Sequence, residues 1–204
     1  MKELTLAISK GRILEEALQL LSKIGVECEE SPFNSRKLIF ETNLPYLKII
    51  VVRASDVPVY IESGKVDMGI VGKDTLLETE SNNHLRILDL KIAICKLIVA
   101  GKSNSKFFNN MKVATKYPAI TKRFFHDKGL QCSVLKLYGS IELAAVLDMT
   151  DVIVDLVETG QTLKQNGLKE LALIDKISSM LIVNKSSYKL YRDEINTFLT
   201  LLNK

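Results

Sequence analysis

Aliphatic, often β-branched runs alternate along this chain with segments of helical periodicity, and that alternation narrows the fold more than any other feature. Strand-like runs stand at 4–8, 38–40, 47–52, 68–71, 92–99, 113–115, 133–137, 152–157 and 179–183. Helical patterns stand between several of them, at 13–24, 57–63, 119–128, 141–147 and 188–202. Such interleaving predicts an α/β protein. A break near 87–92 and a return of the chain near 177–183 predict two lobes with a ligand cleft between them. Residues 1–90 with 178–204 are expected to form the first lobe, and 91–177 the second.

The charge balance and the cysteines exclude several classes. Lys+Arg 28 against Asp+Glu 24 gives a net charge of +4, too small to announce a nucleic-acid binder but suited to small polyanions held by local cationic clusters. Cys28, Cys95 and Cys132 are odd in number and far apart, which fits reduced core thiols rather than a disulfide framework or a zinc site. Met1-Lys2-Glu3 runs directly into the first strand, and no apolar stretch reaches membrane length, so a cytoplasmic location is expected. The two histidines, His84 and His126, are expected at the surface or on helices, and Phe33 and Tyr60 in the core.

Two turns carry the candidate chemistry. In Asp151-Val-Ile-Val-Asp-Leu-Val-Glu-Thr-Gly-Gln-Thr-Leu163 a buried-strand pattern passes through a turn of small residues into a helix start. Unpaired N–H groups and the helix dipole at such a start favour an anion, so Thr159, Gly160, Gln161 and Thr162 are candidates for holding a phosphate. Asp155 and Glu158 precede the turn; carboxylates there suit sugar hydroxyls or a hydrated Mg²⁺ better than the phosphate itself. The second turn, Ser9-Lys10-Gly11-Arg12, also follows a strand and opens a helix, but it carries two cations around a glycine. Arg36, before the strand at 38–40, is a further candidate for phosphate. Arg53, after the strand at 47–52, is placed either at a ligand or in a pair with Asp56 or Asp74. One turn for a sugar phosphate and a separate cationic cluster for a leaving diphosphate match the two ends of phosphoribosyl diphosphate.

Blocks spread over nearly the whole chain resemble the ATP phosphoribosyltransferase family in its short form. They are Ala7-Ile-Ser-Lys-Gly-Arg-Ile13, Ser35-Arg-Lys-Leu-Ile39, Arg53-Ala-Ser-Asp-Val-Pro-Val-Tyr-Ile-Glu-Ser-Gly64, Asp67-Met-Gly-Ile-Val-Gly-Lys-Asp74, Val113-Ala-Thr-Lys-Tyr-Pro118, Leu137-Tyr-Gly-Ser-Ile-Glu-Leu-Ala144 and 151–168. Ala144-Ala145, where the family usually has Ala-Pro, and Lys65 are small departures. The resemblance implies a fold like that of type II periplasmic binding proteins, Mg²⁺ dependence, and transfer of phosphoribose from the diphosphate to N1 of the adenine of ATP, the first step of histidine biosynthesis.

On that resemblance Lys10, Arg12 and Arg36 are expected to act on the leaving diphosphate, Arg36 reaching across a homodimer. Gly11, Asp155, Glu158, Thr159, Gly160, Gln161 and Thr162 would bind the donor, in the second lobe for the phosphate turn. Arg53, Asp67, Gly72 and Tyr117 are expected near ATP. No side chain is assigned as a metal ligand, since Mg²⁺ rides mainly on substrate oxygens. Long-form relatives carry a C-terminal regulatory domain; the short form implies a separate regulatory subunit similar to the catalytic region of histidyl-tRNA synthetase. Neither a nucleic-acid nor a membrane partner is expected. The rival readings are a non-catalytic small-molecule sensor on the same fold and a phosphoribosyltransferase for another base.

Overall fold

The computed structural model describes residues 3–79, 81 and 83–202, so Met1 and Lys2 lie outside it. In chain order its elements are β1 (Leu4–Ser9), α1 (Arg12–Lys23), β2 (Ile39–Glu41), β3 (Leu47–Val52), α2 (Val57–Glu62), β4 (Met68–Gly72), α3 (Lys73–Thr79), β5 (His84–Asp89), β6 (Cys95–Gly101) and β7 (Met111–Thr115). They continue with α4 (Pro118–Asp127), β8 (Cys132–Lys136), α5 (Glu142–Val146), β9 (Val152–Val157), α6 (Gln161–Gln165), β10 (Lys169–Ile177), β11 (Ser179–Asn184), α7 (Lys185–Leu190) and α8 (Arg192–Leu202). The chain divides into two compact units, Met1–Leu76 with Glu80–Ala93 and Ser178–Lys204, and Leu77–Thr79 with Ile94–Ile177.

The first unit is built on a sheet ordered β2-β3-β1-β4-β11-β5. Strands β3, β1 and β4 are mutually parallel and adjacent, with Ser9 opposite Val52 and Ile8 opposite Ile70. Period-2 alternation sorts β1 between two cores. Leu4, Leu6 and Ile8 pack with Leu14, Ala17 and Leu21 of α1 and Phe198 of α8, while Ala7 packs with Val57 and Ile61 of α2. Each buried aliphatic side chain of this kind stabilises the fold by about 1.5–3 kcal/mol.

The second unit is built on a sheet ordered β10-β6-β9-β7-β8, in which β9, β7 and β8 run parallel. Its core gathers Leu97, Val113, Tyr117, Phe125 and Val154, with Phe107 and Phe124 meeting Phe125 edge-on at centroid distances of 5.6 and 5.3 Å.

Several expectations need correction. β5 and β10 went unforeseen because charges interrupt their alternation, and β10 also slips register against β6 at Glu170/Ala172 and Leu173/Asp175. The strand expected at 92–99 begins only at Cys95, since Lys91 and Ala93 adopt φ of 53° and 51°, outside strand geometry. One helix expected over 188–202 is two. Asn184 caps α7, its Oδ1 accepting from Ser186 N and Ser187 N at 2.8 and 2.9 Å, and the chain breaks at Tyr191 before α8.

His84 is buried on β5 rather than exposed, its Nδ1 3.5 Å from Glu62 Oε1. Burial pulls its pKa below the ordinary imidazole value, with Glu62 acting in the opposite sense. Phe33 and Tyr60, expected inside, are 55% and 44% exposed. The cysteines are free thiols, half-buried, and burial raises the pKa of Cys28 and Cys132.

Candidate functional site

In the first unit the candidate residues collect at one end of the sheet. Lys10 follows the last residue of β1, and its N–H donates to Val52 O at 2.9 Å, so it lies beside Arg53, which follows β3. Ligands of open α/β sheets gather at such carboxyl ends. The chain turns from β1 into α1 through Gly11 at φ 90°, a conformation that disfavours any side chain there. Gly11 O accepts from Leu14 N and Glu15 N at 2.9 and 3.3 Å, the first bonds of the helix.

Arg12 opens α1 half-buried, its Nε 3.7 Å from Glu16 Oε1, and Glu16 is itself held by Ala93 N at 2.7 Å through its other oxygen. Arg36 precedes β2, which pairs antiparallel with β3, Ile39 opposite Ile50, while Val51 N donates to Leu38 O at 3.1 Å. Gly72 ends β4 at the same level, and the carboxylate of Asp74 occupies the space a Cβ would need there.

Asp67 does not join them. It lies at the amino end of β4, buried, with Oδ2 accepting from Thr5 N at 2.9 Å and Oδ1 from Ser187 Oγ at 2.7 Å. Its carboxylate ties β1 to β4 and α7, which removes it from the expected ATP contacts. Tyr117 is corrected likewise: its ring is 4% exposed and belongs to the core of the second unit. The spacing of the Thr-Lys-Tyr-Pro segment carries no signal that distinguishes a ring turned inward from one turned to a ligand.

In the second unit β9 delivers Asp155 half-buried and Glu158 exposed, and the chain then turns through Gly160 at φ 74° into α6. Lys164 N donates to Gly160 O at 3.1 Å, and Thr159 Oγ1 accepts weakly from Gln161 N at 3.4 Å. Helix geometry leaves the amides of Thr162 and Leu163 without acceptors in their own turn. Thr159, Gln161 and Thr162 are exposed around them.

Asp155 is the electrostatic anomaly of the unit. Its pKa is raised from 3.8 to about 6, chiefly by burial, with the Leu156 N–H at 2.8 Å working against the rise, Glu142 adding to it and Lys116 opposing it. Lys116 and Glu142 were not singled out as site residues from the sequence. The available signal was position: Lys116 follows the last residue of β7 as Glu158 follows that of β9. Among the described residues no three His, Cys, Asp or Glu side chains cluster as metal ligands.

Two α/β units, one with cations collected at the ends of parallel strands and one with a glycine turn after a buried acid, define the class: a small-molecule-binding α/β protein made for a phosphorylated, anionic ligand. The ATP phosphoribosyltransferase family model, HisG, matches residues 53–204, and the chain belongs to that family. An ATP phosphoribosyltransferase of Ruthia magnifica subsp. Calyptogena magnifica is 49% identical over 197 residues, covering 96% of each chain. The ATP phosphoribosyl transferase (HisG:HisZ) complex from Thermotoga maritima superposes with a TM-score of 0.85 at 35% identity, covering 98% of this chain and 96% of that one. The periplasmic aliphatic sulphonate binding protein SsuA from Escherichia coli matches at a TM-score of 0.62 and 14% identity over 99% of this chain and 72% of that one. That likeness concerns the fold, which is of the periplasmic-binding-protein kind.

Proposed function

We infer that the chain is a catalytic subunit that transfers phosphoribose from phosphoribosyl diphosphate to N1 of the adenine of ATP and releases diphosphate, the first step of histidine biosynthesis. Family membership over most of the chain supports the reaction. The observation that supports the assignment of roles is that Lys10, Arg12 and Arg53 lie at one end of the first sheet.

N1 of adenine has a lone pair and no proton, so attack on the anomeric carbon needs no general base. The chemical demand is on the leaving group and on the ribose, which gains positive charge as the C–O bond lengthens. Lys10, Arg12 and Arg36 supply fixed positive charge to the departing diphosphate, Arg36 from the neighbouring subunit of a homodimer. The Thr159–Thr162 turn holds the 5-phosphate, and Asp155 and Glu158 accept hydrogen bonds from the ribose hydroxyls. Arg53 and Gly72 lie toward ATP.

Asp155 and Glu158, the acids before the phosphate turn, suit a magnesium ion of the kind that keeps water and substrate oxygens as most of its ligands. When bound, Mg²⁺ neutralises part of the diphosphate charge. Asp155 and Glu158 are the groups placed to meet its water shell. A regulatory subunit like the HisZ of the Thermotoga complex, and a cytoplasmic location, complete the reading.

Mixing the chain with ATP, phosphoribosyl diphosphate and Mg²⁺ tests it. Alkylation at N1 changes adenine absorbance, so a time-dependent ultraviolet change that requires all three components is the expected result. Adenine, guanine and orotate as acceptors give none. For the phosphate turn, Thr162→Val is expected to weaken donor binding about 10-fold with little change in kcat, since that contact exists before and during reaction. Calorimetric titration with phosphoribosyl diphosphate checks this, and unaltered affinity removes Thr162 from the cradle.

A further inference from the structure

Three charged side chains from three separate elements meet at one end of the second sheet. Strands β7 and β9 are parallel neighbours, with Ala114 opposite Ile153 and Thr115 opposite Val154. The next residues in step are Lys116, directly after β7, and Asp155. Period-2 alternation puts both on the sheet face of Ala114 and Ile153, away from Val113 and Val154. That face is covered by Ile141, just before α5, by Ala144 and Ala145 within α5, and by Leu163 of α6. Because α5 follows β8, which runs parallel to β7, its half-buried first residue, Glu142, lies on the side to which these strands run. The electrostatics agree with this placement. Beneath the larger effects of burial and of the Leu156 N–H, Glu142 and Lys116 act on Asp155 in opposite senses.

These groups stand near one another without pairing. Among the described residues neither Lys116 nor Glu142 makes an ion pair or a side-chain hydrogen bond; the exposed ammonium of Lys116 lies 5.9 Å from the centroid of the Tyr117 ring. Two carboxylates and an ammonium suit a ligand that both donates and accepts, which is what hydroxyls do. The two acids disfavour a phosphate at this point, and all three charges disfavour an apolar group. The Thr159–Thr162 turn follows Asp155 on the same chain segment, so a phosphate held there carries its sugar toward the cluster.

We propose that Lys116 and Glu142 are substrate-binding residues that, with Asp155, hold the hydroxyls of the phosphorylated sugar and select ribose over 2-deoxyribose. The inference deepens the transferase reading and rests on it for the identity of the sugar. The carboxylates accept from the hydroxyls, and the ammonium donates to their oxygens.

Ligand-observed NMR titration with ribose 5-phosphate, 2-deoxyribose 5-phosphate and inorganic phosphate reads this selection without ATP. At pH 8 Asp155 is ionised, which keeps its protonation out of the comparison. The wild type is expected to bind ribose 5-phosphate roughly 10- to 100-fold more tightly than the 2-deoxy sugar, the scale of one charge-assisted hydrogen bond. Glu142→Gln and Lys116→Met are each expected to lose most of that preference while keeping wild-type affinity for inorganic phosphate, which meets only the turn. Lys116→Arg keeps charge and donors and is expected to retain the preference. A preference unchanged in a folded Glu142→Gln or Lys116→Met variant overturns the proposal, as does a wild type that binds the two sugar phosphates equally. Wild-type turnover of ATP with phosphoribosyl diphosphate is followed in parallel. Its absence counts against the transferase reading, whereas its presence beside an unchanged preference in the variants strikes the sugar contacts alone.

Discussion

Arg12→Ala is expected to lower kcat by roughly 10²–10³-fold, the scale of losing one preorganised donor to a developing negative charge. The loss is expected to fall on catalysis more than on folding. Arg12 is the first residue of α1, half-buried, and it pairs with Glu16 at 3.7 Å on the same helix. Pairs of that exposure contribute about 0–1 kcal/mol. Alanine is also an excellent helix former, so the start of α1 survives. The Glu16 carboxylate is expected to keep its bond from Ala93 N in the variant. Because diphosphate acquires its full charge only as the bond to ribose breaks, KM for the donor should change less than kcat. Steady-state kinetics on a variant with unchanged thermal unfolding decides it, and an unaltered kcat removes Arg12 from the reaction.

Asp155→Asn is expected to move activity and stability in opposite directions. The sign follows from the raised pKa. Above about pH 6 the carboxylate is ionised in both folded and unfolded states, and the folded state carries the full cost of that buried charge. A rise from 3.8 to about 6 corresponds to about 3 kcal/mol. As pH falls from 6 toward 4 the folded state takes up the proton first, so this contribution to stability improves with acidification. Asparagine removes the charge and retains an oxygen for the Leu156 N–H. The variant should therefore gain about 1–3 kcal/mol at pH 8 and lose that pH dependence, read by urea unfolding at pH 8 and pH 5.

His84 contributes in the reverse sense: its depressed pKa costs stability as pH falls below the ordinary imidazole value, and the comparison of variant with wild type cancels it. Activity should fall by about 10²-fold at pH 8, because an amide cannot supply the negative charge that steadies a ribose gaining positive charge. In the wild type, kcat/KM should rise with pH through about 6 as Asp155 ionises. An Asp155→Asn variant that is less stable than wild type at pH 8, or fully active, contradicts the assignment.

The class of fold was legible because strands β1, β3, β4, β7 and β9 are nearly pure aliphatic runs, and burial on both faces of a parallel sheet leaves no other pattern open to them. Strand β9 occupies the very span its sequence suggested, Val152–Val157, and Gly160 sits where the turn needs a positive φ. β5 and β10 were not legible, since edge strands exposed along one side tolerate charge and irregular register.

The candidate site divides in the same manner. Local chemistry, written in consecutive residues, suffices for the two turns: a glycine that permits the bend, small or cationic neighbours, and a helix start behind it. Side-chain direction and strand order do not reside in any local segment. Tertiary structure alone turned Tyr117 into the core, committed Asp67 to Thr5 and Ser187, and raised the pKa of Asp155 by surrounding it with protein. It also set Ile8 opposite Ile70, residues 62 positions apart along the chain, because hydrogen bonding between β1 and β4 brings together what the backbone separates.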